Sequence, residues 1–281
     1  MFALLTALVL ASPAFAQSLC PEVQRAEALG DAGDLDGVLT VLEAHVKTHP
    51  DDVEALWRLS RALYEKGEVL AQTVPDSQRL PLYDRARVLG KQVQVLAPDN
   101  GMGYLWEGAA IARVATARGI LASLFLADDV EKLWLKALTT STRYRMATGI
   151  SSFPGDVYNG LGQLYRLVPD YRAVEWIAGM RGDIDKSVYY FRLMVKDDPA
   201  RLEGVKELGV ALLCKGYRQE DEAAKAEGRM WLGKGRLLPA SYPTDVIDSH
   251  QIPVILSRES EACGYSRDGW EDVSERSYSA K

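Results

Sequence analysis

A short turn phrase occurs twice in this chain of 281 residues, each time at the same distance before a proline. Residues 33–36 read Gly-Asp-Leu-Asp and precede Pro50, and residues 182–185 read Gly-Asp-Ile-Asp and precede Pro199. Both copies are followed by an apolar pattern of helical period and helix length. A turn, one helix and a proline stop form half of a helical hairpin, so a repeat protein is predicted.

Proline stops divide the chain at other points. Pro98 lies 48 residues after Pro50, and Pro199 lies 101 residues after Pro98. Because the second interval is about twice the first, we expect another repeat boundary near residue 145. The Asp and Asn residues beside these prolines can cap the next helix. We predict about four helical hairpins with one extra helix, and no segment shows clean strand alternation.

The first helix of each predicted hairpin carries a second pattern. Tyr158, Leu161, Gly162 and Tyr165 place a large, an apolar, a small and an aromatic residue on one helical face. This spacing resembles the helix A signature of the tetratricopeptide repeat, W-x2-L-G-x2-Y. The resemblance implies an all-α fold, a tetratricopeptide-like αα-hairpin solenoid with a non-repetitive C-terminal tail.

Three longer stretches are similar to one family in particular. Residues 57–64, 119–138 and 158–188 resemble the T-component family associated with periplasmic TRAP transporters. The resemblance implies a binding or scaffold protein that is accessory to a TRAP-type solute uptake system. Its partner would be a periplasmic solute-binding protein or a carboxylate ligand. The alternative is a general periplasmic envelope-assembly scaffold that binds no small molecule.

The first 16 residues are typical of a secretory signal peptide. An apolar run ends at Pro13, and Ala-Phe-Ala at residues 14–16 matches an A-x-A cleavage site. We expect cleavage after Ala16 and a secreted, periplasmic product. The apolar run is too short to cross a bilayer, so no stable membrane span is predicted. Leu19 stands before Cys20, where a lipoprotein cysteine requires a small residue, so a soluble product is favoured over an anchored one.

The mature chain divides into two predicted parts. Residues 17–238 form the helical repeat domain, and residues 239–281 form a capping tail in which three prolines fall close together. The tail is expected to dock where residues 252–256 are apolar, to be loose after Ser266, and to cover the exposed end of the solenoid.

Composition and motifs exclude several classes of function. A net charge of −6 and the absence of a long basic patch argue against nucleic-acid binding. No P-loop, nucleophile elbow, dinucleotide fingerprint or C-x-x-C is present, so neither an enzyme nor a cofactor is predicted. His45 and His49 could present two imidazoles to zinc. No suitably spaced third ligand accompanies them, and cations stabilise helix C-termini, so no metal site is predicted.

Cysteine pairing is left open by the sequence. Cys20, Cys214 and Cys263 follow the signal segment. In an oxidising compartment, a disulfide between Cys214, at a predicted helix end, and Cys263 could hold the tail down. Three cysteines do not determine a connectivity, and three unpaired residues are the alternative.

A ligand groove follows from the resemblance to tetratricopeptide folds, in which helix A lines a concave face. Matching positions give a basic groove with the candidate residues Arg58, Arg113, Asn159, Gln163, Arg166 and Lys206. Arginine binds carboxylates through a bidentate fork, and the two amides add further donors. The hypothesis is a groove for a carboxylate-bearing ligand or an acidic partner surface. The alternative is a set of solvated charges on exposed helices.

Overall fold

The computed structural model describes residues 19–71, 73–119 and 123–271, together with residue 273. The predicted signal peptide and its cleavage site after Ala16 lie outside these residues. Within them, no helix combines the length and the apolarity that crossing a bilayer requires.

Helical hairpins make up most of the described chain. In chain order the α-helices are α1 (Pro21–Asp31), α2 (Leu35–Thr48), α3 (Val53–Leu70), α4 (Asp76–Leu96), α5 (Gly101–Ala117), α6 (Ala127–Leu138), α7 (Gly155–Leu167), α8 (Arg172–Ala178), α9 (Ile184–Asp197), α10 (Leu202–Arg218), α11 (Glu222–Gly235) and α12 (Pro243–Ser257). The hairpins pair α1 with α2, α3 with α4, α5 with α6, α7 with α9, and α10 with α11. The expected all-α hairpin solenoid is confirmed. The described residues hold five hairpins rather than about four with an extra helix, because α1 pairs with α2.

Both copies of the repeated turn phrase begin a helix of the same length. α2 and α9 each have 14 residues. Asp34 Oδ1 accepts a hydrogen bond from the Gly37 N–H at 2.9 Å, and Asp183 Oδ1 accepts from the N–H groups of Asp185 and Lys186 at 3.0 Å. A side-chain acceptor at the N-cap satisfies donors that the first helical turn leaves free. The helix-and-stop prediction is confirmed, since each proline directly follows the C-cap residue.

The glycines of the two phrases are required for different reasons. Gly33 has a φ of +76°, a left-handed conformation that side chains with a Cβ rarely adopt. Gly182 is needed for close approach, because a Cβ there would lie 1.9 Å from the carbonyl oxygen of Val168. The predicted signature Gly162 plays a similar part, since a Cβ on it would lie 2.6 Å from the ring of Phe191 on α9.

The predicted boundary near residue 145 is a short β-hairpin. β1 (Tyr144–Arg145) pairs antiparallel with β2 (Ser152–Phe153), between the end of α6 and the start of α7. The loop therefore separates the third hairpin from the fourth, at the place that the proline intervals indicate.

The C-terminal segment bridges distant repeats. α12 contacts both α3 and α10, and the Tyr242 hydroxyl just before α12 donates to Glu65 Oε2 at 2.8 Å. A 3₁₀ helix (Glu259–Gly264) follows, and then β3 (Tyr265–Ser266) pairs antiparallel with β4 (Gly269–Trp270). The chain is thus held in place beyond Ser266, where the sequence predicts a loose tail.

A disulfide joins this segment to the last hairpin. Cys214 of α10 is bonded to Cys263 of the 3₁₀ helix, 49 residues further on. Ile252 and Ile255 of α12 lie in the same apolar cluster as Leu213. Among the described residues, Cys20 is the free cysteine.

Candidate functional site

The inner face of the solenoid is built from the first helices of successive hairpins. α3 contacts α5, α5 contacts α7, and α7 contacts α10, while α12 lies against α3 and α10. We call the surface that these helices turn toward α12 the inner face. The structure brings together five of the six predicted groove residues on it: Arg113, Asn159, Gln163, Arg166 and Lys206.

Arg58 lies apart from that group. Its guanidinium forms ion pairs with Glu27 of α1 and Glu54 of its own helix. It also lies 4.0 Å from the ring centroid of Trp57, a cation–π contact. Arg58 therefore ties α1 to α3 and does not reach the inner face.

Arg113 is held by a two-point ion pair. Its Nε and Nη2 donate to the two carboxylate oxygens of Glu68, with Nη2 at 2.7 Å from Oε2. Nη2 also donates to Asp268 Oδ1 at 3.2 Å. This parallel fork is the strongest geometry available to arginine and a carboxylate, and here it is buried.

Arg267 connects three elements of the solenoid. Nη1 donates to Glu68 Oε2 on α3 at 3.0 Å, and Nη2 donates to Glu203 Oε1 on α10 at 2.8 Å. Nε and Nη2 donate to the two oxygens of Asp248 on α12, both at 3.0 Å. The side chain inserted from the C-terminal segment thus lies where we expect a ligand.

Lys206 and Arg166 continue this ionic network. Lys206 Nζ lies 2.6 Å from Asp248 Oδ1, 3.0 Å from the Tyr265 hydroxyl and 3.0 Å from Glu207 Oε1. Arg166 Nη2 donates to Glu207 Oε2 at 2.9 Å, and Nη1 donates to the carbonyl oxygen of Tyr265 at 2.6 Å. Both cations are fully buried and bind the C-terminal segment.

The two predicted amides form a short chain at the edge of the network. Gln163 Nε2 donates to Asn159 Oδ1 at 3.0 Å, and Asn159 Nδ2 donates to Glu203 Oε1 at 3.1 Å. Both amides also line the inner cavity described below.

The inner face is therefore an ionic network and differs from the open basic groove expected from the sequence. The sequence prediction counts fixed positions after the first residue of each helix A signature. Those positions contain the groove cations but not most of the acidic residues that pair with them. The omitted partners are Glu68, Glu203, Glu207, Asp248 and Asp268, and the inserted cation is Arg267. The acids on the helices lie at other positions of the same helical turns, and the tail residues belong to no repeat. Acidic residues that recur at each turn of the inner-face helices are the sequence signal that would have indicated ion pairs with these cations.

Ion pairing outweighs burial in setting the pKa of Glu203. Burial alone raises the pKa of Glu203, but the nearby guanidinium groups of Arg201 and Arg267 outweigh it and lower the pKa to about 2. For Arg166 the balance is reversed, because burial outweighs Glu207 and lowers its pKa below the ordinary range for arginine. Glu203 is thus ionised at neutral pH, as an ionic network requires.

A cavity of about 150 Å³ lies between this network and the apolar surface of α5 and α6. One wall is apolar and consists of Leu105, Ala109, Ala112, Leu124, Val130, Trp134 and Leu164. Another part of the lining is polar and consists of Glu65, Glu68, Arg113, Asn159, Gln163, Arg201, Glu203 and Arg267. The cavity is thus amphiphilic, with both hydrocarbon and ionic or amide groups in its lining.

Two residues that line the cavity, Trp106 and Arg201, have buried polar atoms without a hydrogen-bond partner among the described residues. The indole Nε1 of Trp106, which lines the cavity, is buried and donates to no acceptor there. The indole of Trp134, by contrast, donates to the carbonyl oxygen of Leu105 at 3.1 Å. Buried donors are nearly always paired, so the Trp106 N–H marks a place for an acceptor atom.

Comparison with known proteins identifies no family for this chain. No family model matches the chain, and no curated protein matches it. The solved structure of MamA has 17% identity over 74% of this chain and 95% of that chain, with a TM-score of 0.44. TTC0263, a thermophilic TPR protein in Thermus thermophilus, has 17% identity over 86% of this chain and 96% of that chain, with a TM-score of 0.49.

Replacing Lys206, one of the buried cations of the network, should lower the stability of the fold. In Lys206→Met, Asp248 keeps Arg267 but loses its closest cation, and Glu207 loses a second one, so we expect the free energy of unfolding to fall by about 2–3 kcal/mol. The matched control is Lys66→Met, which breaks an ion pair with the exposed Asp36 and should change it by less than about 1 kcal/mol. Urea unfolding of both variants measures the difference, and equal effects would contradict the ionic network.

A second variant tests the pH dependence of the same region. Burial, helped by the neighbouring Asp248 and Glu203, raises the pKa of Asp245 from 3.8 to about 6. A raised pKa means that this group destabilises the fold progressively as the pH rises from about 3.8 to about 6. Asp245→Asn should therefore be about 1–3 kcal/mol more stable than the wild type at pH 7 and nearly equal to it at pH 4. The exposed Asp99→Asn serves as the control in urea unfolding at both pH values, and a gain for Asp245→Asn that persists at pH 4 would refute this assignment.

Proposed function

We propose that this protein is a secreted, periplasmic helical-repeat binding protein that holds a small amphiphilic molecule in the inner cavity. We further propose that it is accessory to a TRAP-type solute uptake system. The proposal depends on the cavity itself, whose lining combines apolar residues, most of them on α5 and α6, with ionic and amide groups. The role is binding rather than catalysis.

The inner face favours a small ligand over a peptide. Helical solenoids bind partners through their concave surfaces. Here that surface is covered by α12 and by Arg267, which fill the space that an extended peptide would need. The remaining volume of about 150 Å³ matches that of protein cavities known to bind benzene. A ring or a short hydrocarbon chain with one polar end fits this space.

The charges on the polar wall favour an uncharged polar end. Arg113 is paired with Glu68, and Arg201 is paired with Asp156 at 2.6 Å and with Glu203 at 2.5 Å. A ligand carboxylate would have to displace one of these acids and leave it buried without a cation. A hydroxyl or carbonyl group avoids that cost and can accept from the indole N–H of Trp106.

The resemblance of residues 57–64, 119–138 and 158–188 to the T-component family supports a role beside a TRAP transporter. The alternative, an envelope-assembly scaffold, is favoured by one observation on the outside of the molecule. Trp176 is 93% exposed and Ile177 is 67% exposed on α8. Large apolar side chains exposed side by side are characteristic of protein contact surfaces.

Ligand binding can be tested with two probes that share a ring and differ in charge. Benzyl alcohol should bind saturably, detected through the fluorescence of the cavity residues Trp106 and Trp134, and benzoate should bind more weakly. Ala112→Leu fills the apolar side of the cavity and should weaken benzyl alcohol binding by at least about tenfold, equivalent to about 1.4 kcal/mol.

Ala223→Leu is the matched control, since it makes the same change at an exposed position on α11 and should leave binding intact. Absence of saturable binding to the wild type, or binding that Ala112→Leu leaves unchanged, would refute the cavity proposal. Tighter binding of benzoate than of benzyl alcohol would restore the carboxylate ligand predicted from the sequence.

The accessory role is tested by crosslinking the tagged protein in intact cells and identifying the partners by mass spectrometry. We expect recovery of a TRAP solute-binding protein or transporter subunit. Trp176→Ser separates the alternatives, because it alters the exposed apolar surface and leaves the cavity intact. Recovery of envelope-assembly proteins that is lost in Trp176→Ser would overturn the uptake role in favour of the scaffold.

A further inference from the structure

A compact group of side chains of metal-binding types lies where the first three helices meet. Cys20 directly precedes α1, His45 lies in the last turn of α2, and Asp52 is the N-cap of α3. Packing of the first three helices brings their donor atoms together, all within 4.8 Å of one another. The Cys20 sulfur is 3.8 Å from both His45 Nε2 and Asp52 Oδ2, which are 2.8 Å apart.

The orientation of the imidazole argues against a nucleophilic triad made of Cys20, His45 and Asp52. In such a triad the nucleophile and the carboxylate contact opposite nitrogens of the histidine. Here the thiol and the Asp52 carboxylate both face Nε2, so no proton can be relayed through the ring between them. Three different donors that converge on one point are the arrangement expected around a shared cation.

The spacing of the donors fits tetrahedral zinc with a small adjustment. Zinc bonds of about 2.3 Å to sulfur and about 2.0–2.1 Å to nitrogen and oxygen place sulfur about 3.5 Å from either of the other ligands. The two sulfur distances of 3.8 Å are close to that value. Nitrogen and oxygen, now 2.8 Å apart in a hydrogen bond, would move apart to about 3.4 Å.

The outer contacts of the group also match those of metal ligands. Metal-bound histidines usually donate their other nitrogen to a carboxylate, and Glu22 lies on that side of His45, with Oε2 4.0 Å from Nδ1, an ion-pair distance longer than a hydrogen bond. Metal-bound carboxylates are usually fixed by further hydrogen bonds. Asp52 Oδ1 accepts from the N–H groups of Glu54 and Ala55 at 3.0 and 3.1 Å, which leaves Oδ2 directed at the histidine.

We propose that Cys20, His45 and Asp52 bind a zinc ion through Sγ, Nε2 and Oδ2. A thiolate, an imidazole and a carboxylate are the donors that zinc takes, and three protein ligands leave the fourth position to water. Binding releases the thiol proton to solvent, since only the thiolate is a ligand. The proton that His45 Nε2 donates to Asp52 must also leave that nitrogen, to Nδ1 or to solvent, so that the Nε2 lone pair can bind the ion. The ion fastens the start of α1 to the junction of α2 and α3 and thereby secures the first hairpin.

This site was not predictable from the histidine pair in the sequence. His49 stacks on His45 with ring centroids 4.5 Å apart, and its Nδ1 bonds the Thr48 hydroxyl at 2.9 Å. The second and third ligands come from 25 residues earlier and 7 residues later in the chain, with no recognisable motif spacing.

The test uses purified, metal-freed protein and two metal probes. Zinc titrated against a chromophoric chelator should bind with one ion per chain, and cobalt(II) should give the visible bands of tetrahedral coordination with a thiolate charge-transfer band. Cys20→Ser and His45→Gln should each weaken zinc binding by at least about 100-fold and abolish the charge-transfer band. Zinc should raise the melting temperature of the wild type and leave that of both variants unchanged.

His49→Gln is the matched control, because it removes an imidazole that touches His45 without contacting Cys20 or Asp52. Asp52→Asn keeps an N-cap acceptor on α3 while it removes the ligand charge, so it should fold and bind zinc weakly. Zinc binding that survives Cys20→Ser and His45→Gln would identify an adventitious surface ion and overturn the proposal. Lack of zinc binding to the wild type, with Cys20 instead forming an intermolecular disulfide, would also overturn it.

Discussion

The guanidinium group of Arg267 contacts carboxylates from three separate helices: Glu68 of α3, Glu203 of α10 and Asp248 of α12. Buried carboxylates this close together repel one another and are costly to dehydrate. They are tolerated because a cation lies between them. The C-terminal segment therefore does more than cover an apolar end, since it supplies the charge that allows two distant hairpins to approach. The inner face therefore packs only when the C-terminal segment is in place.

The cavity is a consequence of the same arrangement. A planar, branched guanidinium fills the polar half of the inner face, whereas small residues on α5, such as Ala109 and Ala112, leave the apolar half open. The cavity needs both parts of the lining. Larger side chains in place of the alanines would fill the space beside the ionic network and leave a packed polar core. The site thus depends on a long-range contact between α3, α5 and the last residues of the described chain.

Local signals in the sequence are sufficient to predict the helical hairpins, but they are insufficient to predict the inner face and its cavity. The turn phrases and the proline stops depend on neighbours within a single helix or turn, so periodicity and capping chemistry reveal them, and the spacing of the stops indicates the boundary near residue 145. The inner face depends on pairs such as Arg267 with Glu68, which are separated by 199 residues. The cations Arg113, Arg166 and Lys206 were identified at the correct face, but as free charges, because repeat positions say nothing about the partner across the solenoid. The structure forms the disulfide between Cys214 and Cys263 that the sequence left open, and it does so because α10 and the 3₁₀ helix are adjacent.

The bridge made by α12 has a consequence for how this architecture can change over evolution. Open-ended solenoids gain and lose repeats readily, because each repeat contacts only its neighbours. In this chain α12 spans from α10 back to α3, and Pro243 at its start packs against Gly33 in the first hairpin. Insertion or deletion of one hairpin would change the distance that α12 must cover and would break contacts at both of its ends. The number of repeats can change in open-ended solenoids, but in this chain it is fixed by a single helix outside the repeats.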